Sequence, residues 1–154
     1  MLRLASYDIV FQEIPGEVTL ALNISGCPNR CPSCHSPHLW EDIGEELDEE
    51  LLSGLLAKYS PGITCVCFMG GDSDPLEVGR LSVFVRESAA GRIKIGWYSG
   101  KTGFATECSL ENFDFLKLGP YVEKLGGLDS APTNQRFYAI ENGRMIDHTD
   151  RFRK

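Results

Sequence analysis

No stretch of the 154-residue chain approaches the roughly 18 consecutive apolar residues that a membrane-spanning helix needs. The opening residues, Met1 to Asp8, are interrupted by Arg3, Ser6 and Asp8 and lack the continuous apolar core of a secretory signal. Positive charge is scarce: 15 Lys and Arg stand against 22 Asp and Glu, a formal net charge of −7 with His neutral. Such a chain has no whole-molecule attraction for phosphate backbones or anionic lipid surfaces, so neither nucleic acid nor a membrane is expected as a partner. Internal repeats, low-complexity tracts and domain-dividing linkers are missing as well. One domain over residues 1–154, in the cytoplasm, is the expectation.

Cysteine, by contrast, is plentiful, with six in the chain. A chain of this length builds a hydrophobic core without disulfides or a metal, so the thiols need another explanation. In a reducing compartment they are expected as ligands, catalytic groups or small buried hydrophobes.

Residues 17–25 alternate Val18, Leu20, Leu22 and Ile24 with Thr19, Ala21 and Asn23, the period of a strand. It runs directly into residues 26–44, rich in Pro, Ser, Asn and Gly and without helical period, which are expected to form a long loop. A loop of that length in a compact domain usually serves a function. From Glu45 to Tyr59, Leu47, Leu51, Leu52, Leu55 and Leu56 recur at helical spacing, with acids at the front and Lys58 near the end. The run Ile63–Met69 is nearly all apolar, as in a buried parallel strand, and ends in Gly70-Gly71-Asp72. A second helix is expected over Pro75–Ala90, a strand over Arg92–Tyr98 ending in Ser99-Gly100, and a short strand over Phe113–Leu118. Asn142-Gly143 between Arg136–Glu141 and Arg144–Asp147 suits a type I′ hairpin turn. The expected fold class is α/β: a partial (βα) barrel or an open, mainly parallel sheet with a C-terminal hairpin, too short to close as an eight-stranded barrel.

Cys27, Cys31 and Cys34 form a Cys-x3-Cys-x2-Cys array inside the loop. Three thiolates can surround one metal centre, and an iron–sulfur cubane held by only three leaves one iron open to a substrate or cofactor. The competing reading is a structural zinc site closed by His35 or His38, which would make the chain a non-catalytic adaptor. Zinc fingers more often use pairs of close ligands separated by a longer spacer, whereas this array crowds all three into one loop, which favours the cluster.

The array resembles the signature of radical S-adenosylmethionine (SAM) enzymes. The segment Gly26–Trp40 resembles in particular the activating proteins of anaerobic ribonucleoside-triphosphate reductases. Further segments agree: Phe68-Met-Gly-Gly-Asp72, Trp97-Tyr-Ser-Gly100, and Gly119-Pro-Tyr121 with Thr133-Asn-Gln-Arg136, so the likeness covers about residues 8–140. It implies a [4Fe–4S] cluster on Cys27, Cys31 and Cys34, with SAM chelating the open iron. Reductive cleavage of SAM would give a 5′-deoxyadenosyl radical that removes a hydrogen from one Gly of the large reductase subunit, leaving a glycyl radical there. A low-potential electron donor such as a flavodoxin is implied as a second partner, and no side chain is needed as a general base. The same chemistry on another glycyl-radical enzyme, or on a peptide, is the nearest alternative.

Candidate cofactor contacts are Ser33 and His35 beside the last cysteine, Gly70, Gly71 and Asp72, and Ser99. Glycines suit a strand end where backbone approaches a ligand, and an acid there suits the SAM amino group; the plain alternative is a tight turn leaving the strand. Many relatives place Pro directly after this acid, whereas Ser73 and Asp74 precede Pro75, so Asp74 is a second candidate for the contact. Cys65 and Cys67, two apart in a strand, are expected in the core, and Cys108 as a thiol outside any disulfide. Trp97 and Tyr98 are expected in the core, Trp40 against the end of the Cys loop, and His148 in a solvated C-terminal tail.

Overall fold

The computed structural model describes residues 2–11, 13–25, 44–101, 103–104, 108–120, 122, 124–128, 130 and 133–152. Among these residues two α-helices and eight strands form in the order β1 (Leu2–Val10), β2 (Thr19–Ile24), β3 (Glu45–Leu47), α1 (Glu49–Tyr59), β4 (Cys65–Met69), α2 (Pro75–Ser88), β5 (Lys94–Tyr98), β6 (Phe115–Leu118), β7 (Arg136–Glu141) and β8 (Arg144–Asp147). All eight strands join one sheet in the order β3-β1-β2-β4-β5-β6-β7-β8. The four central strands β2, β4, β5 and β6 run parallel, and the flanking pairs are antiparallel. With β3 and β8 left as edges, the sheet is open rather than closed.

Alternation along β4 separates two apolar layers. Val66 and Phe68 point to the helical side, where Leu52, Leu55 and Leu56 of α1 and Val78, Leu81 and Val85 of α2 cover the sheet. Cys65 and Cys67 face the other side with Tyr98, Phe115, Phe137 and Ala139. That side has no helix among the described residues; Ile14, from the β1–β2 connection, and Phe152, from a 3-10 turn over Thr149–Phe152, help to cover it. Ile14 is wholly buried and reaches the sheet at Gly96, where a Cβ would lie only 2.7 Å from its Cδ1.

Three expectations need correction. The helix expected from Glu45 begins at Glu49, because Glu45–Leu47 pair with β1 (Leu2 opposite Leu47, Leu4 opposite Glu45). Asp48 sets the boundary, its carboxylate accepting the Leu51 N–H at 2.8 Å as N-cap. Residues Leu2–Val10, considered only as an N-terminus, form the longest strand. Lastly, the C-terminal tail is not simply solvated: Thr149 is buried with its hydroxyl accepting the Phe137 N–H at 2.9 Å, and Phe152 packs edge-on against Phe137 at 5.0 Å. His148 is half-buried, its backbone N–H donating to the Phe137 carbonyl at 2.8 Å. The hairpin is as expected, with Asn142 and Gly143 both at positive φ, 54° and 74°. No helix among the described residues is long and apolar enough to cross a membrane.

Candidate functional site at the strand ends

The parallel strands β4, β5 and β6 finish side by side, and their C-terminal extensions interlock. In open α/β sheets this edge is where ligands bind. Gly70 and Gly71 follow β4 with φ of 110° and 91°, a region side chains rarely enter. A Cβ on Gly70 would sit 3.1 Å from the Ile24 carbonyl oxygen, and one on Gly71 would sit 2.6 Å from Val78 Cγ2. The close approach that these glycines allow is therefore to the end of β2 and to α2. The Gly70 N–H donates to the Tyr98 carbonyl at 3.0 Å, and Trp97 Nε1 donates back to the Gly70 carbonyl at 2.7 Å. Trp97 and Tyr98 are both buried, as expected of core residues.

Asp72, buried at this edge, bridges to the end of β5 through both carboxylate oxygens. Oδ1 accepts the Ser99 hydroxyl at 2.5 Å and Oδ2 accepts the Gly100 N–H at 2.8 Å. Asp74 serves as N-cap of α2, accepting the Glu77 N–H at 3.4 Å.

The chain of contacts continues to β6 and β7. Lys117 Nζ donates to the Ser99 and Gly119 carbonyls at 3.2 and 3.3 Å, and the Gly119 N–H donates to the Lys101 carbonyl at 2.7 Å. Gln135 Nε2 reaches the Gly119 carbonyl at 3.3 Å, and Asn134 Nδ2 reaches the Pro120 carbonyl at 3.1 Å. The sequence reading gave Lys117 no role. Its signal is a lone Lys in a short apolar strand, which has no meaning until Ser99 is placed beside it.

The structure thus brings Gly70, Gly71, Asp72 and Ser99 together. Cys27, Cys31, Cys34, Ser33, His35, His38 and Trp40 lie outside the described residues. In the sequence, Cys27 stands three residues after Ile24, the last residue of β2. Among the described residues no group of three or more metal-ligating side chains converges. Burial raises the thiol pKa of Cys65 and Cys67 well above the ordinary value, so both are protonated in the metal-free fold. Cys108 Sγ donates to the Pro75 carbonyl at 3.0 Å. A hollow of about 490 Å³ lies at the opposite end of the sheet, lined by Ser60, Ile63, Ala89 and Arg92, and carries no metal-ligating or redox-active side chain.

Residues 15–129 match the family of the 4Fe-4S single cluster domain. The chain belongs to that family. No curated protein matches it. The family assignment gives this 4Fe-4S protein its resident cofactor, and its matched span holds the Cys27–Cys34 array as well as Gly70–Asp72 and Ser99. Three thiols within eight residues of sequence suit such a cluster in chemistry, since Fe–S centres are held by Cys thiolates.

Proposed function

We propose that this 4Fe-4S protein is a radical SAM activase, which reductively cleaves S-adenosylmethionine and takes a hydrogen from a Gly of an anaerobic ribonucleoside-triphosphate reductase. The observation that carries the reading is the common edge. The strand that precedes Cys27 ends beside Gly70, whose absent Cβ would meet the Ile24 carbonyl, and Asp72 and Ser99 join across that same edge. An iron left open by a three-Cys ligand set would have a cofactor cradle next to it in the sheet.

In this reading Cys27, Cys31 and Cys34 ligate the cluster. Cys65 and Cys67 are buried in an apolar layer with Phe115 and Phe137, which supports leaving those two thiols out of the ligand set. Gly70 and Gly71 let the end of β4 pack closely against β2 and α2 beside the cradle, Asp72 is the acid that meets the SAM amino group, and Ser99 fixes that carboxylate. Ser33 and His35 flank the ligands and contact the cofactor. When bound, the cluster and SAM supply the one-electron chemistry; the chain supplies position and electrostatics. The partners are a large anaerobic reductase subunit and a low-potential donor such as a flavodoxin.

Anaerobic reconstitution with iron and sulfide, then dithionite reduction with SAM present, tests the reading. Release of 5′-deoxyadenosine is expected. A well-loaded cluster that yields none overturns the radical SAM reading. A glycyl-radical signal on the added reductase subunit is expected in turn, and radical formation on a different protein or peptide alone would reassign the substrate.

A further inference from the structure

We infer that Arg3 is a positioning residue for the iron–sulfur cluster: it pins both ends of the segment that carries Cys27, Cys31 and Cys34 to one point of β1, before the cluster binds. This rests on the ligand set proposed above and not on SAM.

The three cysteines fall within residues 26–43, between Ser25 and Gly44. Strand β1 lies between the two strands that bound this stretch. Leu4 stands opposite Ile24 of β2 on one side and opposite Glu45 of β3 on the other. Neighbouring strands are roughly 4.8 Å apart, so residues 24 and 45 flank β1 at about 10 Å from each other. Fully extended, residues 26–43 would reach roughly 60 Å, so chain length does not by itself bring the two ends together.

Arg3 joins those ends. Its backbone carbonyl accepts the Ser25 N–H at 3.0 Å, and its Nη1 donates to the Gly44 carbonyl at 3.2 Å. The second bond comes from a charged guanidinium, which strengthens it relative to a bond between neutral groups. Gly44 comes this near only as glycine: its φ is 99°, and a Cβ would lie 2.1 Å from the Leu4 carbonyl oxygen. The register of β1 against β2 shifts between Leu4 and Ser6, so the irregular point of β1 coincides with the two ends. Irregularities of this kind, as in β-bulges, are over-represented beside functional sites.

Gathering three thiolates around one centre costs the conformational freedom of the chain that bears them, and a stretch whose ends are already fixed has less to lose. In cluster-free protein, removing the Arg3 side-chain bond frees one end, and the regained freedom offsets the lost bond. The loaded protein has no such compensation, so the loss falls on cluster retention.

The test compares wild type with Arg3→Met, which keeps an unbranched stem without a donor, and Arg3→Lys, which restores a charged donor. Each protein is reconstituted anaerobically with iron and sulfide, and its cluster is withdrawn with excess EDTA and followed by visible absorbance. Urea midpoints are measured on the cluster-free proteins. Arg3→Met is expected to lose its cluster about fivefold faster, the worth of about one hydrogen bond, with Arg3→Lys near wild type and the urea midpoints alike. Loss at the wild-type rate in Arg3→Met overturns the inference. Equal acceleration in Arg3→Lys overturns it as well, and so does a clearly lower urea midpoint of Arg3→Met, since the side chain then serves the fold. If Arg3→Met does not fold, amide exchange of the cluster-free wild type decides. The Ser25 N–H is expected to exchange as slowly as those within β2, and fast exchange overturns the inference because the ends then meet only once the cluster is bound. Wild type that takes up no iron and sulfide overturns the ligand set and this inference together, whereas every other outcome leaves the ligand set standing.

Discussion

The Ser99 hydroxyl and the Asp72 carboxylate meet at 2.5 Å and tie the end of β5 to the turn that follows β4. Both side chains are buried, so the bond has no water to replace it. Ser99→Ala is expected to lower the unfolding free energy by about 1–3 kcal/mol, the cost of a buried acceptor that loses a donor. Asp72→Ala is expected to cost more, since it strands the Ser99 hydroxyl and the Gly100 N–H together. Urea unfolding of the ligand-free variants measures both, and a Ser99→Ala protein as stable as wild type would show that the bond contributes nothing to the fold.

Gly71 combines a positive φ with a neighbour that cannot retreat. Its φ is 91° and an added Cβ would lie 2.6 Å from Val78 Cγ2, on the inward face of α2. Gly143 also has a positive φ, of 74°, but meets nothing within 4 Å. Gly143→Ala is therefore expected to cost about 1 kcal/mol, the left-handed penalty alone. Gly71→Ala should cost clearly more, and adding Val78→Ala should recover only the contact part. Thermal unfolding of the single variants and the Gly71→Ala/Val78→Ala double variant separates the two contributions; equal losses at Gly71 and Gly143 would remove the steric argument.

Much of this sheet is legible in the sequence because its central strands are nearly pure in apolar character and its glycines stand at their ends. Cys65–Met69 and Lys94–Tyr98 fall inside the runs that periodicity marks, and Asn142-Gly143 identifies its own turn. The failures have physical causes. Leu47 fits both a helical row with Leu51 and a strand position opposite Leu2, and only the partner strand decides. That partner is hard to see, because a register shift between Leu4 and Ser6 breaks the alternation of β1. The charges of the tail point to solvent, whereas Phe152 and Thr149 decide where it goes.

The candidate site divides in the same way. Gly70, Gly71, Asp72 and Ser99 are visible as strand-end residues, but their mutual bonds join positions 27 and 28 apart in the chain. No local pattern encodes such a pairing.

Burial of Cys65 and Cys67 makes the fold sensitive to alkali. Desolvation raises both thiol pKa values above their ordinary value near 9, and for Cys65 the Glu17 carboxylate adds to the rise. In the unfolded chain these thiols ionise above about pH 9, while the native ones stay protonated, so the native state then binds more protons. Stability is accordingly flat below pH 9 and falls above it, by up to about 1.4 kcal/mol per pH unit for each thiol. Urea midpoints at pH 7, 8, 9 and 10 should show this bend, and Cys67→Ala should remove part of the slope. Unchanged stability from pH 8 to 10 would contradict the burial argument.

Cluster and fold should separate on mutation of the array. The two apolar layers are built on β2, β4, β5 and β6, and a chain of this size holds such a core without a metal. Cys31→Ala is therefore expected to abolish the broad absorbance near 400 nm of the anaerobically reconstituted protein, and SAM cleavage with it. Its circular dichroism and urea midpoint should stay close to those of cluster-free wild type. A Cys31→Ala protein that unfolds would point instead to a metal that the fold requires, as in structural zinc sites, which are colourless. Metal analysis of the wild type then distinguishes the cases, since iron with sulfide accompanies the cluster and zinc accompanies a closed Cys3His site.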